Sequence, residues 1–274
     1  MDYVPTLAGN AAYAAAFGLL LIAQLGLGIK YKTWGFMVGM ICGLMLEAVG
    51  YLVTLTIGPA FLAGALYLCL SRIVIIYGQQ ISRFSPRTYA ITFMTNDFVS
   101  LVLQGAGGGL AATAINKYQS DTGQAIMVAG VVFQVVSLLI FMGMWSEFIL
   151  RLCRTSENDR DVRFAELRHT KRFTGFQYAL GAAVALIFVR SVYRIAELQQ
   201  GFNGPIANDE VSFMILEGPM IFLAVLAMTV LHPGIAFGGN WNNASWSVRQ
   251  SRKGDIATNS SSIENIQLKQ MYNP

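Results

Sequence analysis

The chain has 274 residues, of which 54% are hydrophobic and only 12% charged, with a mean hydropathy of +0.50. A soluble domain carries about 25% charged residues, so the composition excludes a soluble enzyme or binding module and indicates an integral membrane protein with almost no soluble part. The net charge of +4 carries no nucleic-acid implication, because the basic residues follow a membrane topology.

The apolar runs are continuous and about twenty residues long, whereas a β-barrel shows alternating stretches of about ten. The expected fold is therefore all-α, a seven-transmembrane helix bundle. Near the N-terminus Asp2 is the only charge, so no cleavable signal peptide is expected and the first apolar segment is retained. Hydropathy and boundary residues place the spans at about 10–29, 34–57, 59–83, 88–115, 123–150, 174–198 and 209–231. Only Gly58-Pro59 separates the second from the third, a tight turn that makes them antiparallel neighbours.

Outside the spans, Lys30, Lys32, Arg83, Arg87 and the run from Arg151 to Arg172 all fall in odd-numbered connections. Arg249, Arg252, Lys253 and Lys269 fall in the tail, and Lys117 alone lies on the other side. By the positive-inside rule the N-terminus is outside and the C-terminus cytoplasmic. Segment 151–173 interleaves those bases with Glu157, Asp159, Asp161 and Glu166. It reads first as a solvated cytoplasmic connector whose charge fixes topology, with contact to anionic headgroups as the alternative. Residues 1–237 form the membrane domain, and 238–274, rich in Asn, Ser, Gln and Gly, form a cytoplasmic tail for which disorder is the default. Its two glycosylation-like triplets, at Asn243 and Asn259, lie on the wrong side of the membrane for modification. Cys42, Cys69 and Cys153 suggest no extracellular disulfide, and no internal repeat is evident.

The sixth span ends in Arg190-Ser191-Val192-Tyr193-Arg194-Ile195-Ala196-Glu197. At about 100° per residue, Arg190, Arg194 and Glu197 share a sector of roughly 60°. A charge near the bilayer centre costs on the order of 3 kcal/mol even on the lenient insertion scale, so this face turns to the bundle interior and its partners lie on other helices. The candidates are Glu47 in span two, Arg72 in span three, Asp97 in span four and Glu217 in span seven, with Glu210 one heptad earlier. Tyr51 follows Glu47, Gln79 follows Arg72, and Ser100 and Gln104 follow Asp97 at helical spacing. The expectation is one polar interior shared by five helices, running from the midplane into the outer half. One reading is a set of ion pairs that hold the bundle together. The other is a binding site, in which a spare carboxylate takes a cationic ligand or paired arginines take an anionic one.

Gly105-Ala106-Gly107-Gly108-Gly109 in span four offers a nearly bare backbone, read first as close helix contact and second as a helix able to unwind along a pathway. Catalysis finds little support. Zinc hydrolysis needs about three ligands, usually His-rich, and the only histidines are His169 in the connector and His232 in a His-Pro-Gly helix stop. No Lys lies inside a span to hold retinal, so no cofactor, metal or enzymatic activity is expected.

The chain resembles the fungal lipid-translocating exporter family, the aminocholesterol-resistance-like proteins. The resemblance covers roughly residues 3 to 237 and rests on Leu46-Glu47-Ala48-Val49-Gly50-Tyr51, Leu70-Ser71-Arg72, Asp97 with the glycine run, and Gly130-Val131-Val132-Phe133-Gln134. It rests most on Val189 to Glu197 and on Glu217 followed by Leu231-His232-Pro233-Gly234. The resemblance implies a seven-helix protein of fungal plasma or vacuolar membranes. Members are linked to release of sphingoid long-chain bases toward the outer face, sterol-analogue resistance and, in one branch, porphyrin traffic. For a long-chain amine, Glu47, Asp97 or Glu217 could hold the ammonium and hydroxyls while the chain stays in lipid. The candidate substrate-binding set is Glu47, Tyr51, Arg72, Asp97, Gln104, Arg190, Arg194, Glu197 and Glu217.

Two functions follow. The first is an ATP-independent translocator of amphipathic lipids, since no Gly-rich phosphate-cradling loop is present. The second is a seven-helix lipid receptor or sensor that moves nothing. In either case the partners are membrane lipids and an amphipathic lipid ligand, not nucleic acid.

Overall fold

A computed structural model describes residues 7–50, 58–78, 82–83, 85–154, 164–199, 218–239, 241 and 244. Among them the chain forms helices and turns and no strand. The helices are α1 (Leu7–Tyr31), α2 (Trp34–Gly50), α3 (Gly58–Tyr77), α4 (Pro86–Ala112), α5 (Lys117–Arg154), the single turn α6 (Ala165–Arg168), α7 (Lys171–Gln199), α8 (Gly218–Val230) and the single turn α9 (Pro233–Ala236).

Local chemistry sets several boundaries. Lys32 takes a left-handed φ of 53°, and the Thr33 amide donates to the Gly28 carbonyl at 3.1 Å, which reverses the chain between α1 and α2. Ser85 is extended and Pro86 opens α4, where its missing N–H costs nothing. His232 caps α9 by accepting the Gly234 amide on Nδ1 at 3.0 Å, so the expected helix stop is also a side-chain cap.

Successive long helices pack side by side, α1 on α2, α2 on α3, α3 on α4, α4 on α5, α5 on α7 and α7 on α8, and α8 returns to α1 to close the ring. The α3 helix also touches α7 across the bundle, and its apolar stretch is 72% buried against 22% for that of α1. Tyr67 of α3, Phe93 of α4 and Phe141 of α5 stack at the middle with ring centroids 4.6, 5.2 and 5.5 Å apart. At the end carrying α9, Phe36, Phe173, Phe176, Phe237 and Trp241 form a buried aromatic plug. Between α2, α3, α7 and α8 a small apolar crevice is lined by Met40, Leu62, Leu66, Ile187, Val225 and Met228.

The outward faces are apolar. Leu19, Ile22, Phe98, Val102, Ile140, Leu150 and Val189 are all exposed, while Glu47, Asp97, Gln104 and Arg190 are buried. That is the pattern of helices solvated by lipid, and the chain is a multi-pass membrane protein. Among the described residues, five stretches are long and apolar enough to cross a bilayer: Ala12–Tyr31, Ala60–Tyr77, Lys117–Arg154, Lys171–Gln199 and Gly218–Ala236. The α2 helix is apolar but has 17 described residues, because positions 51–57 of the expected second span lie outside the described residues. The α4 helix has 27 residues, but Asp97, Ser100, Gln104 and its glycines lower its mean hydropathy. The start of the expected seventh span, 209–217, is also outside the described residues.

Candidate functional site

Along α3 the interior polar groups fall at three levels rather than in the single cluster expected. The first is at Gly58. There the Arg190 guanidinium of α7 faces the Glu47 carboxylate of α2 with Nη2 to Oε1 at 3.8 Å, and both side chains are at least 95% buried. This is an ion pair looser than a hydrogen bond. The close approach depends on Gly58, since a Cβ there would lie 2.7 Å from both Cγ and Oε1 of Glu47. One turn and two turns further along α7, Arg194 and Glu197 pair with each other at 3.1 Å and are partly exposed. The three charges of α7 do share a face, and this face meets Glu47. Tyr51 and Glu217, expected at the same level, lie outside the described residues, as does Glu210.

The second level lies about 14 Å further along α3, nine residues at a rise of 1.5 Å. Asp97 is 3% exposed and sits beside the Tyr67 hydroxyl. No other donor reaches its carboxylate oxygens among the described residues. Asp97 belongs to a seam in which α4 contributes Phe93, Asp97, Ser100, Gln104 and Gly107 and α5 contributes Gly123, Met127, Gly130, Gln134, Ser137 and Phe141. Both series step by three and four, as in an antiparallel coiled coil. The backbones nearly touch: a Cβ on Gly107 would fall 2.5 Å from the Met127 amide nitrogen, and one on Gly123 would fall 2.5 Å from that of Ala111. Ser100 donates to the Gly130 carbonyl at 2.6 Å, and Gln104 donates to Ser100 at 2.8 Å and to the Gln134 side chain at 3.1 Å. Gln104 is thus engaged within the seam. Gly107 makes the helix contact expected of the glycine run, whereas Gly105 and Gly109 face outward with nothing within 4 Å.

The third level is Arg72. It is not paired with a buried carboxylate among the described residues; its guanidinium lies over the Trp241 ring, 4.0 Å from the centroid, and donates to the Trp241 carbonyl. The segment beyond α9 folds back into the bundle here, with Gly238 and Gly239 at φ of 53° and 84° making the turn and Trp241 1% exposed. Hydropathy cannot reveal such a return, and Trp241 was not among the candidates. Gln134 and Ser137 were also missed, and their signal in the sequence is the three-four spacing of polar and small positions through the fifth span; Tyr67, in the third span, has no such signal.

A bundle with lipid-facing apolar surfaces and buried charges in its interior defines a multi-pass helical membrane protein with an internal polar site. A family model described as RTA1 like protein matches residues 40–240, which include every described residue of the three levels except Trp241, and the chain belongs to the RTA1-like family. It is 31% identical over 282 residues to the sphingoid long-chain base transporter RSB1 of Saccharomyces cerevisiae, covering 86% of this chain and 74% of the relative. Protoporphyrin uptake protein 1 of the same organism is 29% identical, over 69% of this chain and 65% of its own length. Protein RTM1 is 26% identical, over 76% and 73%. No solved structure matches significantly.

Proposed function

We propose that the protein is an ATP-independent translocator of amphipathic lipids, with sphingoid long-chain bases as the substrate class. The observation that carries this reading is the Glu47 and Arg190 pair, with Arg194 and Glu197 beside it, held inside a bundle whose outer faces are apolar. A buried pair is a poor stabiliser once desolvation is counted, so its presence favours a role beyond scaffolding. A long-chain amine suits it: a carboxylate takes the ammonium, a guanidinium takes or repels neighbouring polar groups, and the chain remains in lipid. Similarity to a sphingoid base transporter over most of both chains supports the same substrate class.

The topology we propose has seven spans. The α4 helix crosses the bilayer because its polar side chains face α3 and α5 while Ile91, Met94, Phe98, Val102 and Leu110 face outward. Lys30, Arg83, Arg87, Arg151, Arg154, Lys171 and Arg172 lie at helix ends on the α9 side of the bundle, which makes that side cytoplasmic and the Gly58 side external. Residues 1–237 are then the membrane domain and 238–274 its cytoplasmic tail. Glu47, Arg190, Arg194 and Glu197 form the headgroup site near the outer face, with Tyr51 and Glu217 as its expected neighbours. Release toward the outside places the protein in the plasma membrane. Energy comes from a gradient or from the lipid's own distribution, and no catalytic step is involved.

The test is movement of a fluorescent sphingoid base in liposomes that contain only this purified protein. The expected result is flux by the wild type that Glu47→Gln loses. Tight binding with no movement by the wild type overturns the translocator in favour of a lipid receptor.

A further inference from the structure

The Asp97 level is separate from the headgroup site, and its chemistry is different. Both carboxylate oxygens are buried, and the Tyr67 hydroxyl is the one donor set against them among the described residues. An ionised carboxylate set among hydroxyls and aromatic rings, with no cation beside it, is costly to keep there, whereas a neutral carboxyl is far less so. No cation faces it among the described residues: Arg72 is five residues further along α3 and turned to Trp241.

A second observation comes from α5. Gly107 meets Met127, Gln104 meets Gly130 and Phe93 stacks on Phe141, so the antiparallel register sets Ser137 level with Asp97. Ser137 is 3% exposed and its hydroxyl is without a hydrogen-bond partner among the described residues. It departs from Ser146 and Ser191, whose hydroxyls donate to the carbonyl four residues back. The groups beside Asp97 are therefore the Tyr67 hydroxyl from α3 and, by register, Ser137 from α5, and Tyr67 is the titratable one of the two. Hydroxyls both donate and accept, and only a protonated carboxyl can do both in return. The stacked rings of Tyr67, Phe93 and Phe141 keep the spot apolar.

We propose that Asp97, with Ser137 and the Tyr67 hydroxyl, is a proton-binding site in the α4 and α5 seam, and that its proton exchanges against the lipid amine handled at Glu47 and Arg190. The exchange rests on the translocator reading above; the proton site does not. One protonated amine leaving and one proton entering move no net charge, so a proton gradient drives the lipid outward without a nucleotide.

The test is infrared spectroscopy of the full-length protein in lipid. A protonated-carboxyl C=O band is expected that Asp97→Asn removes and that Ser137→Ala, which keeps Asp97, displaces. A spectrum in which neither replacement alters such a band overturns the site; where Asp97→Asn does not fold, Ser137→Ala decides alone. In liposomes under an imposed pH gradient, wild-type flux of a fluorescent sphingoid base is expected to change several-fold when the gradient is reversed, and Asp97→Asn flux to show no response. Wild-type flux indifferent to the gradient overturns the exchange. The expected band in a protein that moves no lipid under any gradient supports the proton site and overturns the translocator reading.

Discussion

The Arg190 guanidinium of α7 and the Glu47 carboxylate of α2 meet 3.8 Å apart inside the bundle, where Gly58 of α3 leaves the carboxylate no side chain to avoid. Glu47→Gln is expected to reach the membrane and lose lipid flux. Thermal unfolding of Glu47→Gln, Arg190→Gln and the double replacement in detergent should give a coupling of about 0.5–3 kcal/mol, as for residues in contact. Strictly additive effects would mean that the two groups do not interact.

Arg194→Ala probes a pair that lies within one helix rather than between helices. With only 15% and 13% of the two side chains exposed, the loss is expected to exceed the ~1 kcal/mol of a surface pair while the protein still reaches the membrane. Flux and sphingoid-base tolerance of cells are nonetheless expected to be abolished. A well-folded Arg194→Ala protein with full tolerance, alongside a tolerant Glu47→Gln, makes the polar interior a scaffold.

Gly58→Ala tests whether the Glu47 position is imposed by α3. The added methyl falls 2.7 Å from the carboxylate, and the side chain must shift, at about 1–3 kcal/mol. The same substitution made in Glu47→Ala is expected to be nearly silent, as measured by the unfolding temperature of each variant.

The seam predicts opposite outcomes for neighbouring glycines. Gly107→Ala and Gly123→Ala drive a methyl into the backbone of the partner helix and are expected to lower protein yield and unfolding temperature sharply. Gly105→Ala and Gly109→Ala meet nothing, and should be neutral or stabilising by up to about 1 kcal/mol, since alanine favours the helix.

Trp241 is buried over Arg72, so Trp241→Ala is expected to cost about 3–5 kcal/mol, the range for a large core aromatic. Phenylalanine at 241 should recover most of the packing and part of the interaction with the guanidinium, which proteolysis of the two variants in membranes can rank.

The helical membrane architecture was legible because apolar runs of span length leave few alternatives, and the inward face of α7 was legible because Arg190, Arg194 and Glu197 recur at helical spacing. Partner assignment was less so. Arg72 and Glu47 are both charges in apolar helices, and hydropathy gives no depth finer than a turn or two; the structure sends Arg72 to an aromatic that hydropathy leaves in a polar tail. The glycine run reads as uniformly small, yet only the positions on the α5 side, such as Gly107, make contact. Asp97 was visible as a charge, but Ser137 and Tyr67, ordinary residues of apolar helices, gain meaning only when the register sets them beside it.

The pairing of α4 with α5 also bears on how the chain is made. An α4 emerging alone would present Asp97, Gln104 and exposed glycine backbone to lipid, and its hydropathy offers little drive to enter. The seam supplies partners for Ser100, Gln104 and the bare backbone from a helix synthesised immediately afterwards. The two are then expected to enter the bilayer as one hairpin, with α4 waiting at the insertion machinery until α5 has been translated.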